Sequence, residues 1–161
     1  MFIKQLSLFV ENKSGRLAEI TSIIAAAGID IRALSIADTT NFGILRIIVD
    51  KPDQAEKILR DAGLTVSLTN VIAIGIPDVP GGFAGAMKAL SDAGISVEYM
   101  YAFISRDEGR ACVILRVENN EAAVRALQAG NVEILSEDKV YSLSGSAVSP
   151  RAWRFQARGA F

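Results

Sequence analysis

Two junctions in the chain place a polar side chain near a glycine, in a spacing that suits the binding of a small anion. Asn12 and Asp78 each lie three residues before a glycine, which is Gly15 in the first junction and Gly81 in the second. If each glycine opens a helix, the unpaired N–H groups and positive partial charge of that helix terminus attract a carboxylate. Glycine also allows a ligand to approach the backbone closely. The alternative interpretation is that Asn12 and Asp78 only cap their helices.

The charges around the two junctions differ. Lys13 and Arg16 lie beside Asn12, which predicts an electropositive first loop, whereas the second loop has Asp78 and no base before Lys88. An amino acid carries a carboxylate and an ammonium group, and both need partners once water is displaced. We therefore expect a carboxylate to suit the first loop and an ammonium group to suit Asp78, so that the two sites are not equivalent.

Missing residue types exclude several kinds of catalyst. Because the chain has no histidine, Ser-His-Asp and Cys-His nucleophile systems and histidine-bearing zinc sites are excluded. The single cysteine, Cys112, cannot form an internal disulfide and is expected to be an inert core thiol. We therefore expect a reducing compartment and a cytoplasmic location. Neither a cofactor nor a metal ion is predicted.

Charge and hydropathy argue against nucleic acid and membrane as partners. The net charge is −1, and residues 144–161 contribute three arginines and no acid, so the rest of the chain is more acidic than the total. Binding to nucleic acid or to an anionic membrane calls for a basic surface. No apolar run approaches the roughly 20 residues that a membrane span needs.

The chain contains an internal repeat. Four glycines of the first half recur in the second, at a spacing of 66 positions that drifts by one residue at the last pair. The matched pairs are Gly15 with Gly81, Gly28 with Gly94, Gly43 with Gly109, and Gly63 with Gly130. Such a pattern indicates a tandem duplication.

Each copy predicts the element order βαββαβ, which is the ferredoxin-like layout. In the first copy the predicted strands are 6–10, 30–37, 42–50 and 64–69, with helices at 17–27 and 52–62 and a turn at 39–41. In the second they are 72–76, 96–105, 110–117 and 132–135, with helices at 83–93 and around 123–127, a turn at 106–109 and an added strand at 139–143. Gly28 and Gly94 are placed to end the first helix of each copy.

The predicted fold class is therefore α+β, with two ferredoxin-like units in tandem, each an antiparallel four-stranded sheet with its helices on one face. We assign residues 1–69 to the first domain, 70–143 to the second and 144–161 to a C-terminal tail. Residues 44–49 and 97–104 are apolar on both faces, so the helix-free face must be covered by the other copy, by another chain or by the tail. We expect a homodimer or a larger assembly. The tail carries Trp153, Phe155 and Phe161, and its alternatives are docking on the body and a loose extension.

The second junction resembles the ACT domain, the amino-acid-sensing module of many metabolic enzymes. The resemblance rests on Asp78, Pro80, Gly81 and Phe83, followed by the segment 93–97 inside a βαββαβ unit. The first copy matches the same pattern less closely, and together the two matches cover residues 1–143. The chain is similar to tandem ACT proteins that have no attached catalytic domain.

The resemblance implies where a ligand binds. In ACT pairs, an effector amino acid lies between the first strand–helix loop of one unit and the start of the second strand of its partner. Asp30 and Ser96 occupy a position where the family often has asparagine, which is a departure from the pattern. The implied ligand-binding residues are Asn12, Lys13, Gly15, Arg16, Leu17, Asp30 and Ile31 in the first unit, and Asp78, Pro80, Gly81, Gly82, Phe83, Ser96 and Val97 in the second.

Three functions compete at this point. The leading hypothesis is a non-catalytic regulatory protein that binds a small metabolite, an amino acid, at ACT–ACT interfaces. The first alternative is a ligand-independent interaction module that docks on a separate biosynthetic enzyme. The second is a small ferredoxin-like enzyme that uses carboxylates or tyrosines, since this fold hosts unrelated functions.

Overall fold

The computed structural model describes residues 2–38, 42–104 and 109–141. The predicted turn at 39–41, the first three residues of the predicted turn at 106–109, and the predicted tail at 144–161 lie outside these residues. The strands are β1 (Ile3–Glu11), β2 (Ile31–Asp38), β3 (Phe42–Val49), β4 (Val66–Pro77), β5 (Val97–Ile104), β6 (Arg110–Val117) and β7 (Glu133–Ile134). The helices are α1 (Arg16–Ala26), α2 (Pro52–Asp61), α3 (Gly82–Asp92), α4 (Asn120–Ala129) and α5 (Glu137–Tyr141).

One long strand joins the two copies. The first half of β4, residues 66–71, pairs with β1, and its second half, residues 72–77, pairs with β6. Each half belongs to an antiparallel four-stranded sheet, with the order β2-β3-β1-β4 in the first unit and β5-β6-β4-β7 in the second. The predicted ferredoxin-like fold class is confirmed. We call residues 3–71 the first unit and residues 72–141 the second unit, although β4 runs from one to the other without a break.

Helices α1 and α3 end at the glycines that were predicted to stop them. Gly28 and Gly94 follow the C-cap residues in the left-handed conformation, with φ of 64° and 68°. In both units the N–H of the next isoleucine donates to a carbonyl five residues earlier, at 3.3 and 2.9 Å. This back-bond satisfies a carbonyl that the helix end would otherwise leave unpaired.

The later part of the repeat aligns differently from the prediction. Gly63 has a φ of 81° and corresponds to Asn131, whose φ is 56°, because both follow the C-cap of the second helix of their unit. Gly130 is itself the C-cap residue, with a φ of −81°. A Cβ on Gly130 would lie 2.8 Å from the Cβ of Ala89, so a close approach of α4 to α3 requires glycine there. The predicted match of Gly63 with Gly130 is wrong.

Each unit has a core between its helices and one sheet face, and a third core lies between the two sheets. The first core is centred on Leu6, Leu8, Ile20, Ile24, Ile47 and Leu59, and the second on Ile72, Ile74, Leu90, Leu115 and Leu127. The inter-sheet core contains Ile3, Ala33, Ile48, Val71, Ala73, Cys112, Ile114, Leu135 and Val140. The helix-free face of each sheet is therefore covered in part by the other copy, which is the first of the three predicted coverings, while Phe9 on this face of the first sheet stays 62% exposed.

A polar cluster is buried between the two sheets. Gln5 is fully buried, and its Nε2 donates to the hydroxyls of Ser7 (3.0 Å) and Tyr99 (2.8 Å). The hydroxyl of Tyr101 donates to Gln5 Oε1 at 2.9 Å, and the guanidinium of Arg46 lies 3.9 Å from the centre of the Tyr99 ring. Burial raises the pKa of Tyr101, which keeps its hydroxyl protonated as a donor. Because Gln5 belongs to the first unit and both tyrosines to the second, these hydrogen bonds fix how the sheets face each other.

The segment after β7 is a helix, which includes residues 139–141 of the strand predicted at 139–143; residues 142 and 143 lie outside the described part of the chain. The hydroxyl of Ser136 accepts the N–H of Lys139 at 3.2 Å, and Glu137 and Asp138 lie in the first turn of α5. A hydroxyl cap and acidic residues both stabilise a helix start. The helix then places Val140 in the inter-sheet core.

Candidate functional site

Both junction glycines open a helix in the left-handed region. Gly15 precedes α1 with φ 86° and ψ −14°, and Gly81 precedes α3 with φ 87° and ψ −10°. A residue with a side chain would be strained in this conformation. The agreement between the two turns means that the duplication has kept the same loop geometry in both units.

Neither Asn12 nor Asp78 caps the helix that follows it. Both residues are exposed, and neither side chain forms a hydrogen bond or ion pair with the described part of the chain. Asn119 provides the contrast, because its side chain accepts the N–H of Ala122 at 3.0 Å and closes the start of α4. The capping interpretation of Asn12 and Asp78 is therefore wrong.

The first turns of α1 and α3 consequently keep free donors. The N–H groups of Leu17 and Ala18 in α1, and of Phe83 and Ala84 in α3, form no backbone hydrogen bond among the residues described. The N–H that precedes each pair bonds back into its own loop, at 3.2 Å in the first unit and 3.0 Å in the second. Each junction thus offers two N–H donors at the positive end of a helix dipole, an arrangement that attracts a carboxylate or another small anion.

The first loop is not electropositive as expected. Lys13 pairs with Glu11 at 2.9 Å, and Arg16 pairs with Glu19 at 2.7 Å, so both bases have counter-ions. The hydrogen bond from Lys13 holds the pKa of the Glu11 carboxyl below its ordinary value. The prediction was wrong because it counted the bases and omitted both glutamates. One donor remains, since Nε of Arg16 is buried without a partner.

The second loop is acidic and tightly folded. Asp78 has no cationic partner among the described residues, and Pro80 is exposed beside it. A Cβ on Gly82 would collide with the carbonyl of Pro77, which brings the helix start against the end of β4. Phe83 packs partly buried against the second core. This loop therefore combines a free carboxylate with the same open helix start as the first.

The start of β2 is occupied by one ion pair and by two hydrogen bonds to backbone groups. Arg32 donates to the carboxylate of Asp30 at 2.8 Å, and the Asp30 N–H donates to the carboxylate of Asp50 at 2.9 Å. Lys51 donates to the carbonyl of Gly28 at 2.8 Å. The Arg32 side chain is only 10% exposed, yet the sequence analysis did not single it out. The available signal was an arginine inside an apolar strand pattern, which requires a counter-ion nearby.

The equivalent start of β5 is open. Ser96 forms no side-chain hydrogen bond among the described residues and borders a cavity of about 280 Å³. Val97 is partly buried against the second core. Asn119 replaces the lysine of the first unit and caps α4, so its side chain does not fill this space. The cavity is lined by Gly94, Ile95, Ser96, Glu98, Glu118 and Asn119.

Each unit by itself does not assemble the predicted site. Gly15 lies at the N-terminal end of α1, whereas Asp30 and Ile31 follow its C-terminal end. An 11-residue helix is about 16 Å long, so no amino acid can contact both groups within one unit. The same separation holds between Gly81 and Ser96 across α3, which also has 11 residues.

The surface beside the first loop is apolar and ends in an unpaired strand edge. β2 is a terminal strand of the sheet order, and its Leu34 and Ile36 are 57% and 47% exposed. Together with Leu17 they line an apolar cavity of about 100 Å³. The sequence analysis did not single out Leu34 and Ile36. Exposed apolar edges of this kind are sites where a further strand or another chain pairs.

Within the described residues, no group of His, Cys, Asp and Glu side chains is arranged to hold a metal ion. The helices there are too short or too polar to cross a membrane. Cys112 is buried, in agreement with its predicted position in a core.

Comparisons with known proteins agree with this architecture. A family model described as ACT domain pair matches residues 1–144. The solved structure of protein BT0572 from Bacteroides thetaiotaomicron is 42% identical, with a TM-score of 0.83, over 88% of this chain and 96% of that one. The ligand-free regulatory subunit of aspartate kinase from Thermus thermophilus is 21% identical, with a TM-score of 0.62, over 80% of this chain and 93% of that one. No curated protein matches.

The duplicated βαββαβ units and their paired junction loops define a tandem ACT protein. The chain belongs to the family described as ACT domain pair, whose model spans nearly all of it outside the tail.

Proposed function

We propose that this protein is a non-catalytic, cytoplasmic regulator that binds an amino acid where two ACT units meet. The observation that carries the proposal is the pair of matching helix starts at Gly15 and Gly81, each open and uncapped. Their free N–H groups suit the carboxylate of an amino acid. The similarity of fold to a protein described as an aspartate kinase regulatory subunit supports a regulatory role.

A second copy of the chain completes the site in this proposal. Antiparallel pairing of β2 with the β2 of a second copy sets the start of one strand beside the end of the other. That geometry carries the second copy's Asp30 and Ile31 toward the Gly15 loop, which the same unit's Asp30 cannot reach. The exposed Leu34 and Ile36 supply apolar surface for such an isologous contact.

The polar groups near the junctions favour a zwitterion. The helix starts offer donors to a carboxylate, while Asp78 has no cationic partner among the described residues and is available to an ammonium group. Ser96 borders an open cavity at the corresponding strand start. Burying both ends of an amino acid requires partners of both kinds.

The exposed apolar edge also favours a second candidate function. Leu34 and Ile36 on β2, and Met100 at 47% exposure on β5, suit docking on a separate metabolic enzyme without any ligand. Ligand dependence separates the two functions.

A thermal-shift screen against the twenty amino acids tests the proposal. At 100 times its Kd a ligand adds about 2.7 kcal/mol of stability, which for a chain of this size raises the Tm by roughly 5–10 °C. At least one amino acid is expected to give this shift. A flat response across all twenty overturns the proposal and leaves the ligand-independent module.

A further inference from the structure

Apolar side chains on the helix-free face of the first sheet form a patch that the second unit leaves exposed. Phe9 and Phe42 are 62% and 52% exposed, and Ala37 and Ile44 lie beside them on this face. Ile44 pairs with both Phe9 on β1 and Ala37 on β2, and Phe42 is the next residue of β3 on the same face. We call these four residues the phenylalanine patch.

The second unit covers the equivalent place with its own chain. By the repeat, Gly75 on β4 corresponds to Phe9 on β1. Cys112, which pairs with Gly75, is buried, whereas Ile44, which pairs with Phe9, is only partly buried. A Cβ on Gly75 would lie 3.2 Å from the side chain of Leu135, which follows β7 and belongs to the inter-sheet core. Among the described residues the first unit has no such covering segment, because β4 continues from it directly into the second sheet.

The exposed area of the patch is small. A phenylalanine side chain buries about 150–250 Å², so the exposed parts of Phe9 and Phe42 together amount to roughly 200 Å². A stable interface between two folded proteins buries about 800 Å² on each partner. The patch therefore suits a short segment with a few aromatic side chains better than it suits a second folded copy.

The C-terminal tail of the same chain has the composition of such a segment. It carries Trp153 and Phe155 two positions apart, so that in an extended segment both rings face one side and Arg154 faces the other. The three arginines of the tail, with no acid among them, leave the rest of the chain at −4, since the whole chain carries −1. Opposite net charges favour association of the tail with the body of the protein.

The tail begins close enough to the patch to reach it. Tyr141, the last described residue, packs on the inter-sheet core beside Lys4. Phe9 lies farther along β1, at about 17 Å from Lys4. Trp153 comes 12 positions after Tyr141, and that length of chain spans up to roughly 40 Å. A tethered segment has an effective concentration on the order of millimolar, so even a weak contact holds it in place.

We infer that the segment around Trp153 and Phe155 docks on the phenylalanine patch of its own chain. The contact is aromatic on both sides, so it removes apolar surface of Phe9 and Phe42 from water while Arg154 stays in solvent. It completes the cover of the first sheet that the second unit provides only in part. The inference does not depend on the proposed function, because it uses neither the junction loops nor the apolar cavity on the helix side of β2.

Tryptophan fluorescence of the full chain tests the inference, because Trp153 is its only tryptophan. In the wild type, acrylamide is expected to quench Trp153 several-fold less than it quenches N-acetyltryptophanamide, and the emission should lie at shorter wavelength. Phe9→Ser should raise the quenching nearly to that of the free compound, and Phe155→Ser should raise it in part. Met100→Ser is the matched control: it removes a comparably exposed apolar side chain from β5 and should change neither quantity.

Three results overturn the inference: quenching in the wild type as strong as in the free compound, protection that survives substitution in the patch, or protection that is lost on dilution. The last result assigns the contact to a second copy instead of the same chain. Thermal melting followed by circular dichroism shows whether each variant is folded, and Phe42→Ser gives an answer if Phe9→Ser is not. No amino acid is added in these measurements, so failure of the proposed function is distinguishable from failure of this contact.

Discussion

At the residue scale, Asn12 and Asp78 occupy matching positions but carry different charge, and neither side chain bonds to another described residue. Asn12 accepts no helix N–H, so its amide is available to a ligand without loss of a cap. The carboxylate of Asp78 likewise has no side-chain partner among the described residues. We therefore still expect the two junctions to be inequivalent, because Asn12 is neutral and Asp78 is charged. The bases Lys13 and Arg16 do not contribute to this expectation, since both are paired with acids.

Asn12→Ala is expected to weaken effector binding by about 1–3 kcal/mol, the usual effect of leaving a polar partner unpaired. Its free energy of unfolding should stay unchanged, because no cap is lost. Asn119→Ala is the matched control: it loses the bond to Ala122 and about 0.5–2 kcal/mol of stability, with affinity unchanged. Calorimetry and urea unfolding measure the two quantities separately. A stability loss in Asn12→Ala equal to that of the control would show that Asn12 is a cap after all.

The buried Gln5 gives a second prediction at this scale. Gln5→Leu leaves the hydroxyls of Tyr99 and Tyr101 without their partner and should lower the free energy of unfolding by about 1–3 kcal/mol for each unpaired hydroxyl. Adding Tyr99→Phe and Tyr101→Phe should recover much of the loss, because both tyrosine hydroxyls are then removed and only the Ser7 hydroxyl has lost its bond to Gln5. Urea unfolding of the single and triple variants measures this. If the triple variant loses as much free energy of unfolding as the three single variants added together, the three side chains do not act as one cluster.

At the element scale, patterns local in sequence were predictable, whereas those that depend on contacts across the fold were not. Gly28 and Gly94 could be placed as helix ends because a left-handed C-terminal turn depends on the local backbone. Gly130 looked like the same signal, but its cause is a contact with Ala89 on another helix. The segment after β7 was misassigned because an alternating pattern was given more weight than the cap at Ser136.

Substitution of Gly81 and of Gly85 by alanine should change the stability of the protein in opposite directions, although the two glycines lie only four residues apart. Gly81→Ala forces a side chain into the left-handed region and should destabilise the protein by about 1–2 kcal/mol. Gly85→Ala adds a methyl group in open space within a helix and should stabilise it by about 0.5–1 kcal/mol. Thermal unfolding followed by circular dichroism measures both. Equal effects of the same sign would mean that the turn at Gly81 is not held in this conformation.

At the scale of the whole molecule, the sequence predicted that the helix-free faces are covered but not by which of three partners. The two copies cover each other because β4 runs from one sheet into the other and because Gln5 bonds to tyrosines of the other unit. These tyrosines lie 94 and 96 residues away in the sequence, which no local pattern reveals. The junction residues could be predicted because they are repeated. The complete site could not, since its two proposed halves lie at opposite ends of α1, and in the proposed function a second copy brings such halves together.

The central claim is that an amino acid binds at a site that a second copy completes. The most direct test is a thermal-shift screen of the twenty amino acids run in parallel on the wild type and on Ile36→Lys, with Gln54→Lys as the control for an added surface charge. Light scattering should show a dimer for the wild type and the control, and a monomer for Ile36→Lys, because a buried unpaired lysine opposes the β2 contact. The account predicts a shift of roughly 5–10 °C for the wild type and the control, and none for Ile36→Lys. An equal shift in the monomeric variant, or no shift in the wild type, would contradict it.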